Sequence, residues 1–299
     1  MILFDRLVAQ ALRDKESLAP LAVVVEKEIL QHDILREMSG AGLLEKLTFF
    51  GGTCLRTCYG SNRLSEDLDF TGGADFKREL LGVLPTLLVE KLLVKYGLNV
   101  VVSEPKRETG NVDTWKLKIV TRPEQKGMPV QRINIDICAV PSYDRRPMML
   151  RNYYGVDMGT SGLILQVESR EEILAGKLIA LALRPGRIKN RDLWDIVWLK
   201  QHGIQIPLEL LGKKLADFRY TAGSFATLLS KRREMLKAND DDMRGAFEHE
   251  MRRFLPADIV RETLENKSFW VYLTDLVIKE CDQVMEFLSG NVINPSFKM

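Results

Sequence analysis

Two aspartates one residue apart, Asp67 and Asp69, are the residues of this sequence best suited by type and spacing to do chemistry. They lie in Ser65-Glu66-Asp67-Leu68-Asp69-Phe70, whose alternation reads as a short strand closed by Thr71-Gly72-Gly73. Alternate residues of a strand share a face, so both carboxylates project together while Leu68 and Phe70 turn toward a core. Side-by-side carboxylates repel each other, and a cation between them relieves that repulsion. Oxygen-only donors favour Mg²⁺ or Mn²⁺. Asp136 repeats the pattern: Ile133, Ile135 and Ile137 take one face of their segment, and Asp136 shares the other with Asn134. Three acids on one exposed sheet face could hold two metal ions, position an attacking hydroxyl and stabilise a departing pyrophosphate. The competing reading is a set of solvent-facing acids at strand ends, because D-x-D is a common tripeptide.

Upstream, Gly51-Gly52-Thr53 lies between the apolar segment Leu47-Thr48-Phe49-Phe50 and a brief helical stretch to Tyr59. Free N–H groups at a helix start favour phosphate, and glycine lets it come close. A tight turn explains the same glycines. Arg63, four residues before Asp67, would either meet a phosphate or orient Asp67. Lys177 falls inside the apolar stripe Ile173, Leu174, Leu178 and Leu181, where its ammonium would either reach a triphosphate or snorkel to water. Arg191, Asp192 and Asp195 open a helix, and by spacing alone they read as a dipole-favoured start with an Arg191–Asp195 pair. Trp194 and Trp198 read as core, as do Cys54, Cys58 and Cys138. The basic groups Lys231-Arg232-Arg233 and Arg252-Arg253 would either touch an RNA backbone or form solvated helix faces beside Glu234 and Glu250.

The elements that must carry these residues are legible in outline. The first forty residues read as helix, with Leu21, Val24, Val25, Ile29, Ile34, Leu35 and Met38 near helical spacing and Glu26, Lys27, Gln31 and Arg36 between them. Residues 77–96 read as an amphipathic helix and Leu98 to Ser103 as a strand, followed by a charged turn from Glu104 to Asn111. The segments around Trp115–Ile119 and Ile133–Ile137 suggest a hairpin joined by a turn with Pro123, Gly127 and Pro129. From Ser169-Arg170-Glu171-Glu172, which has capping-box form, the chain turns helical, with Asn190 a candidate cap for the next helix. Beyond Pro207 the β pattern is gone, and helical runs are separated by Asn239 to Asp242 and by Pro256. The expected class is α+β: a small mixed sheet flanked by helices in residues 1–205, then a helical region in 206–299.

Composition bounds the partners. The chain has 299 residues, 43 Lys+Arg against 41 Asp+Glu, and 45% hydrophobic residues. That balance excludes intrinsic disorder and excludes a polycation that coats nucleic acid through net charge. Any phosphate-rich partner must be held locally, with a shallower salt dependence than a strongly basic protein would show. No apolar run approaches a membrane span, and the N-terminal residues show no cleavage-site pattern, so a cytoplasmic protein is expected. Four cysteines and three histidines show neither a disulfide framework nor zinc spacing.

The run Phe50-Gly51-Gly52-Thr53-Cys54-Leu55-Arg56, continued by Arg63-Leu64-Ser65-Glu66-Asp67-Leu68-Asp69-Phe70, resembles the GGT-x-L and R-x-S-x-D-x-D-F signature of the AbiEii/AbiGii toxin family. These are nucleotidyltransferase-like proteins of type IV toxin–antitoxin and abortive-infection systems, with relatives among the MenT toxins. Glu26-Lys27-Glu28 is similar to an upstream motif of the family, and Lys177 and Arg191-Asp192-Leu193-Trp194-Asp195 to downstream ones, so the resemblance spans roughly residues 20–200. Gly-Thr stands where the wider superfamily has Gly-Ser, a substitution typical of this branch. The resemblance implies a nucleotidyltransferase fold and transfer of a nucleoside monophosphate from an NTP to RNA, with the tRNA 3′ end in view, causing growth arrest opposed by an antitoxin. It implies a nucleotide site at Gly51, Gly52, Thr53, Arg63, Ser65 and Lys177, metal ligands at Asp67, Asp69 and Asp136, and catalytic roles for these acids, Lys177 and Asp195. Two other classes remain open on the residues alone: a non-catalytic nucleotide- or RNA-binding module, and a phosphatase built on Asp67 to Thr71. The phosphatase fits less well, because Ser65-Glu66 precede the acids where such enzymes have a buried apolar strand.

Overall fold

The computed structural model describes residues 3–13, 15–106, 111–122, 130–238 and 240–293. The chain forms two compact units, Met1–Glu168 with Phe254–Ala257, and Ser169–Arg253 with Asp258–Met299.

The first unit is built on helices α1 (Leu3–Leu12) and α2 (Ala22–Gly40) and on a mixed sheet. Its strands are β1 (Thr48–Phe50), β2 (Leu68–Thr71), β3 (Asn99–Ser103), β4 (Val112–Val120), β5 (Gln131–Cys138), β6 (Arg145–Met149) and β7 (Ile164–Glu168). Their order across the sheet is β3-β4-β5-β2-β1-β7-β6. Helix α3 (Gly51–Cys54) follows β1 without a gap and widens into a looser helical turn over Leu55–Tyr59. The alternation of β4 and β5 does what the sequence pattern requires: Trp115, Leu117 and Ile119 are buried with Ile133, Ile135 and Ile137, and the strands pair antiparallel. The joining turn expected at Pro123, Gly127 and Pro129 lies outside the described residues, as does most of the charged turn before Asn111.

Two local readings are corrected, and one hairpin is added to them. The helix expected over residues 77–96 is a short tight turn, Arg78–Leu81, followed by α4 (Leu84–Tyr96). Pro85 sits in the first turn of α4, where its missing N–H costs nothing. Leu84, Leu88, Leu92 and Tyr96 then form the buried stripe. The strand expected from Ser65 begins only at Leu68, which leaves Asp67 just ahead of it. The hairpin of β6 and β7 carries no clear sequence signal: its five-residue strands are separated by a long irregular stretch, and β6 contains Pro147, which an edge strand tolerates.

Helix α2 is buried nearly all round, including polar positions that periodicity set between the apolar ones. Each buried charge has a partner. Glu26 meets Arg122 and accepts a hydrogen bond from Gln131 at 2.8 Å, while Glu28 pairs with Arg56 at 3.1 Å and accepts from the Tyr154 hydroxyl. Asp33 takes Lys95 at 2.5 Å and Arg36 at 2.7 Å. Burial pushes the Tyr154 phenol up, with the Glu28 charge adding to it, and burial holds His32 below its usual value, so both stay neutral.

The second unit comprises α5 (Arg170–Leu183), α6 (Asn190–Gln201), α7 (Leu208–Asp217), α8 (Ala222–Lys237), α9 (Asp241–Met251), α10 (Ala257–Glu262) and α11 (Lys267–Ile293). Helix α5 packs on α6, α7 and α8, and α6 on α9 and α11. The compact division therefore falls at Ser169, where the β pattern ends, whereas the sequence placed a soft boundary near residue 205. Ser169 caps α5 by accepting from the Glu172 N–H at 3.1 Å. The cap expected at Asn190 is not made: Asn190 is already helical, and its amide donates to Glu250 at 3.0 Å. Trp194 and Trp198 are core residues, the first against Phe269 and the second against His202. Among the described residues no helix is long and apolar enough to cross a membrane.

Candidate functional site

The first unit brings Asp67, Asp69, Asp136, Gly51, Gly52, Thr53, Arg63 and Ser65 together around the junction of β1, β2, β5 and α3. Strands β2 and β5 run parallel, with Asp69 and Asp136 as direct register partners. Adjacent strands lie about 4.8 Å apart, so two half-buried carboxylates stand side by side on one sheet face. Asp67 comes two residues earlier, just ahead of β2, and its Oδ1 accepts a hydrogen bond from the Asn134 N–H of β5 at 3.2 Å. Across the other edge of β2, Asp69 is the register partner of Phe50, the last residue before the glycine turn. The turn and the acids are thus locked to each other by strand pairing.

The glycines are required by what touches them. Gly51 has φ of +81°, and a Cβ placed on it would lie 3.0 Å from Cγ of Asp69. A Cβ on Gly52 would lie 2.9 Å from the Ser65 hydroxyl and 3.3 Å from Cζ of Arg63. The first glycine makes room for the acid and the second for the cation. Gly51→Ala is expected to cost about 1–2 kcal/mol from the left-handed backbone alone. It should also displace Asp69. A melting curve combined with a transfer assay checks both, and unchanged activity would show that Asp69 need not approach this backbone.

Thr53 and Arg63 are placed differently from a simple phosphate cradle. Thr53 is fully buried, and its hydroxyl donates to the main-chain carbonyl of Asp67. It therefore anchors the start of the acid strand, and the hydroxyl expected at a phosphate is already committed. Arg63 is buried, with Nη1 donating to the Leu64 carbonyl at 2.9 Å and its guanidinium against Gly52. Ser65 is held from α2, where Gln31 donates to its carbonyl at 3.4 Å. Next to it, Glu66 pairs with Lys27. The contribution of Glu26-Lys27-Glu28 is thus structural support: one ion pair to the loop before Asp67, and two others that pin Arg122 and Arg56. Cys54 and Cys58 are buried, and burial raises the Cys54 thiol well above its ordinary value, so it packs as a neutral group.

Among the described residues no three carboxylate, imidazole or thiol groups close around one point. The acids form a row, because Asp67 is turned to the Asn134 amide and Asp69 to Gly51. Such a row fits Mg²⁺ or Mn²⁺, which are held by one or two carboxylates with the remaining positions left to water and substrate phosphates. The donors are all oxygens, and the glycine turn beside them lets Asp69, Arg63 and Ser65 come close to its backbone.

Lys177 and Asp195 belong to the second unit. The Lys177 ammonium lies 2.7 Å from Asp192 and 2.7 Å from Asp195, the latter fully buried. Burial opposes the charge on Asp192, but Lys177 and then Lys189 outweigh it and hold the carboxyl below its usual range. Lys177 therefore does not snorkel, and the motif Arg191 to Asp195 is more than a helix start. Sequence spacing did not join Lys177 to either acid, because the pairing crosses from α5 to α6. Arg191 reaches Glu250 at 3.3 Å. Three of the basic residues considered for RNA are engaged in the same unit: Arg232 donates to the Gly186 carbonyl at 3.2 Å, Arg233 meets Asp282 at 2.5 Å, and Arg252 meets Glu265 at 3.3 Å.

Comparison with known proteins follows the same lines. In fold the chain is similar to the nucleotidyltransferase toxin MenT4 of Mycobacterium tuberculosis H37Rv, with a TM-score of 0.57 and 17% identity over 94% of this chain and 89% of that one. JHP933 from Helicobacter pylori is more distant, with a TM-score of 0.44 and 17% identity over 91% of this chain and 96% of that one. No curated protein matches the chain. The family model described as the nucleotidyl transferase AbiEii toxin of type IV toxin–antitoxin systems matches residues 33–274, and the protein belongs to that family.

Proposed function

We propose that this protein transfers a nucleoside monophosphate from an NTP to the 3′ end of an RNA acceptor, with tRNA the first to test. The observation that carries the reading is the register pairing of Asp69 with Asp136 beside a glycine turn that has no room for a side chain. In the transfer, the acceptor oxygen bonds to the α-phosphorus while the bond to the pyrophosphate oxygen breaks. Asp136 orients the acceptor hydroxyl and takes its proton. The backbone N–H groups of Gly51 and Gly52 would meet the phosphates, with Arg63 and Ser65 bordering the same turn. Thr53 keeps Asp67 in place through its carbonyl. Asp67, Asp69 and Asp136 would hold Mg²⁺ or Mn²⁺, which when bound supplies neutralisation of the triphosphate and of the departing pyrophosphate. Lys177, held by Asp192 and Asp195, is the cation proposed for the triphosphate. In the cell the outcome would be growth arrest in the cytoplasm, reversed by a cognate antitoxin.

The test is mass analysis of total tRNA incubated with the protein, Mg²⁺ and each NTP separately. The expected result is a gain of one or more nucleotide masses with at least one NTP, abolished by chelator. No gain with any of the four, with NTP binding retained, would leave a nucleotide-binding module in place of an enzyme.

A further inference from the structure

We infer that the first unit carries a second phosphate-binding subsite, at the far end of the β1–β2 pair from the glycine turn. A cleft of about 290 Å³ opens there, lined by Glu45, Lys46, Thr48, Thr71, Ser142 and Arg145 and floored by Gly72-Gly73. Its volume is at the small end for ligand pockets, suited to a phosphate with part of a sugar. Thr48 and Thr71 are register partners, so strand pairing brings their side chains to one place.

The observation that points to a ligand is Thr71. It is 3% exposed, and its Oγ1 has no hydrogen-bond partner among the described residues. A buried hydroxyl without a partner is costly, and a ligand acceptor would recover that cost. The second observation is charge. Lys46 and Arg145 line the same cleft, both exposed, and neither forms an ion pair among the described residues. Glu45 is the opposing group, but its Oε1 lies against Gly42, 3.3 Å from where a Cβ there would be. Hydroxyl donors with a guanidinium and an ammonium suit the oxygens of a phosphate, not a cation or an apolar group.

The cleft is distinct from the acids yet aligned with them. Asp69 and Thr71 are two residues apart on β2 and share a face, so the hydroxyl stands about 7 Å along the strand from the acid. A phosphate held at Thr71 could belong to a mononucleotide or to the backbone of an RNA chain, and the probes below separate the two. The inference does not rest on the proposed transfer reaction.

Calorimetric titration of the full chain with inorganic phosphate, a nucleoside monophosphate and a short oligoribonucleotide without terminal phosphates tests it. Lys46→Met and Arg145→Met, both at exposed positions, should each weaken phosphate binding at least fivefold, and Thr71→Val, which removes only the hydroxyl, severalfold. Gly51→Ala should leave this binding component in place. Tighter binding of the mononucleotide than of inorganic phosphate supports the subsite and assigns a nucleotide; tighter binding of the oligonucleotide supports it and assigns an RNA backbone. Absence of phosphate binding, or binding unchanged in Lys46→Met and Arg145→Met, overturns the inference. A wild type that transfers nucleotides but binds no phosphate here overturns this inference alone.

Discussion

Asp69→Asn is expected to reduce nucleotidyl transfer roughly a thousandfold, about 4 kcal/mol of transition-state stabilisation, while the protein melts at the same temperature or slightly higher. The two halves of this result have one cause. Asp69 and Asp136 are like charges in directly opposed positions on neighbouring strands, an arrangement that destabilises a sheet. Asparagine keeps the shape and removes the charge, so folding gains what chemistry loses, as is usual for charges retained for function. Asp136→Asn should behave in the same way. If instead Asp69→Asn lost several kcal/mol of stability in a urea titration, the acid would be a folding element and the binding-module reading would gain. Activity near that of the wild type would remove Asp69 from the site altogether.

The acid row was legible because it depends on the shortest-range rule in a sheet. Alternation in Ile133 to Ile137 and in Leu68 to Phe70 decides which side chains share a face, and strand pairing then needs only the correct neighbour. The glycine turn was legible as a turn, but what its glycines avoid was not. The contacts of Gly51 with Asp69 and of Gly52 with Arg63 and Ser65 join residues up to eighteen positions apart, which no local pattern encodes. Thr53 shows the same limit: its place at the helix start suggested a phosphate, whereas its hydroxyl is used by the Asp67 carbonyl. Helix α2 was found by its apolar spacing, yet the burial of Glu26, Glu28 and Asp33 depends on cations from three other segments, with Arg36 of α2 itself added at Asp33. Buried ion pairs leave no periodic trace, since either partner alone reads as a surface residue. The boundary was displaced for a related reason: α5 and α6 have ordinary amphipathic spacing, and only packing shows that their apolar faces belong with α7, α8, α9 and α11.

Lys177→Met is expected to destabilise the second unit by up to about 3–5 kcal/mol at neutral pH, because it takes from the adjacent buried carboxylates Asp192 and Asp195 their shared cation and leaves Asp192 the more exposed Arg184 at 3.4 Å. The sign of the pH dependence distinguishes this from simple loss of packing. In the wild type the Asp192 carboxyl titrates below its ordinary value, so its contribution is fully present above the unfolded pKa of about 3.9 and is lost as pH falls through the lower folded value. In the variant, burial and the neighbouring acid would raise both carboxyls, so the penalty is greatest near pH 7 and shrinks as the medium is acidified and they become protonated. Lys177→Met with Asp195→Asn should recover part of the loss at neutral pH. Urea unfolding followed by tryptophan emission measures this directly, since Trp194, Trp198 and Trp270 all belong to this unit. A loss below about 1 kcal/mol, or one that does not change between pH 7 and pH 4, would mean that the two contacts resemble surface ion pairs. Lys177→Arg then separates structure from chemistry. A guanidinium can still neutralise the two acids and hold most of the stability, but it presents a rigid planar fork where a triphosphate would meet a compact ammonium. Stability kept with transfer lost places Lys177 at the phosphates; stability and transfer kept together confine it to holding α5 and α6.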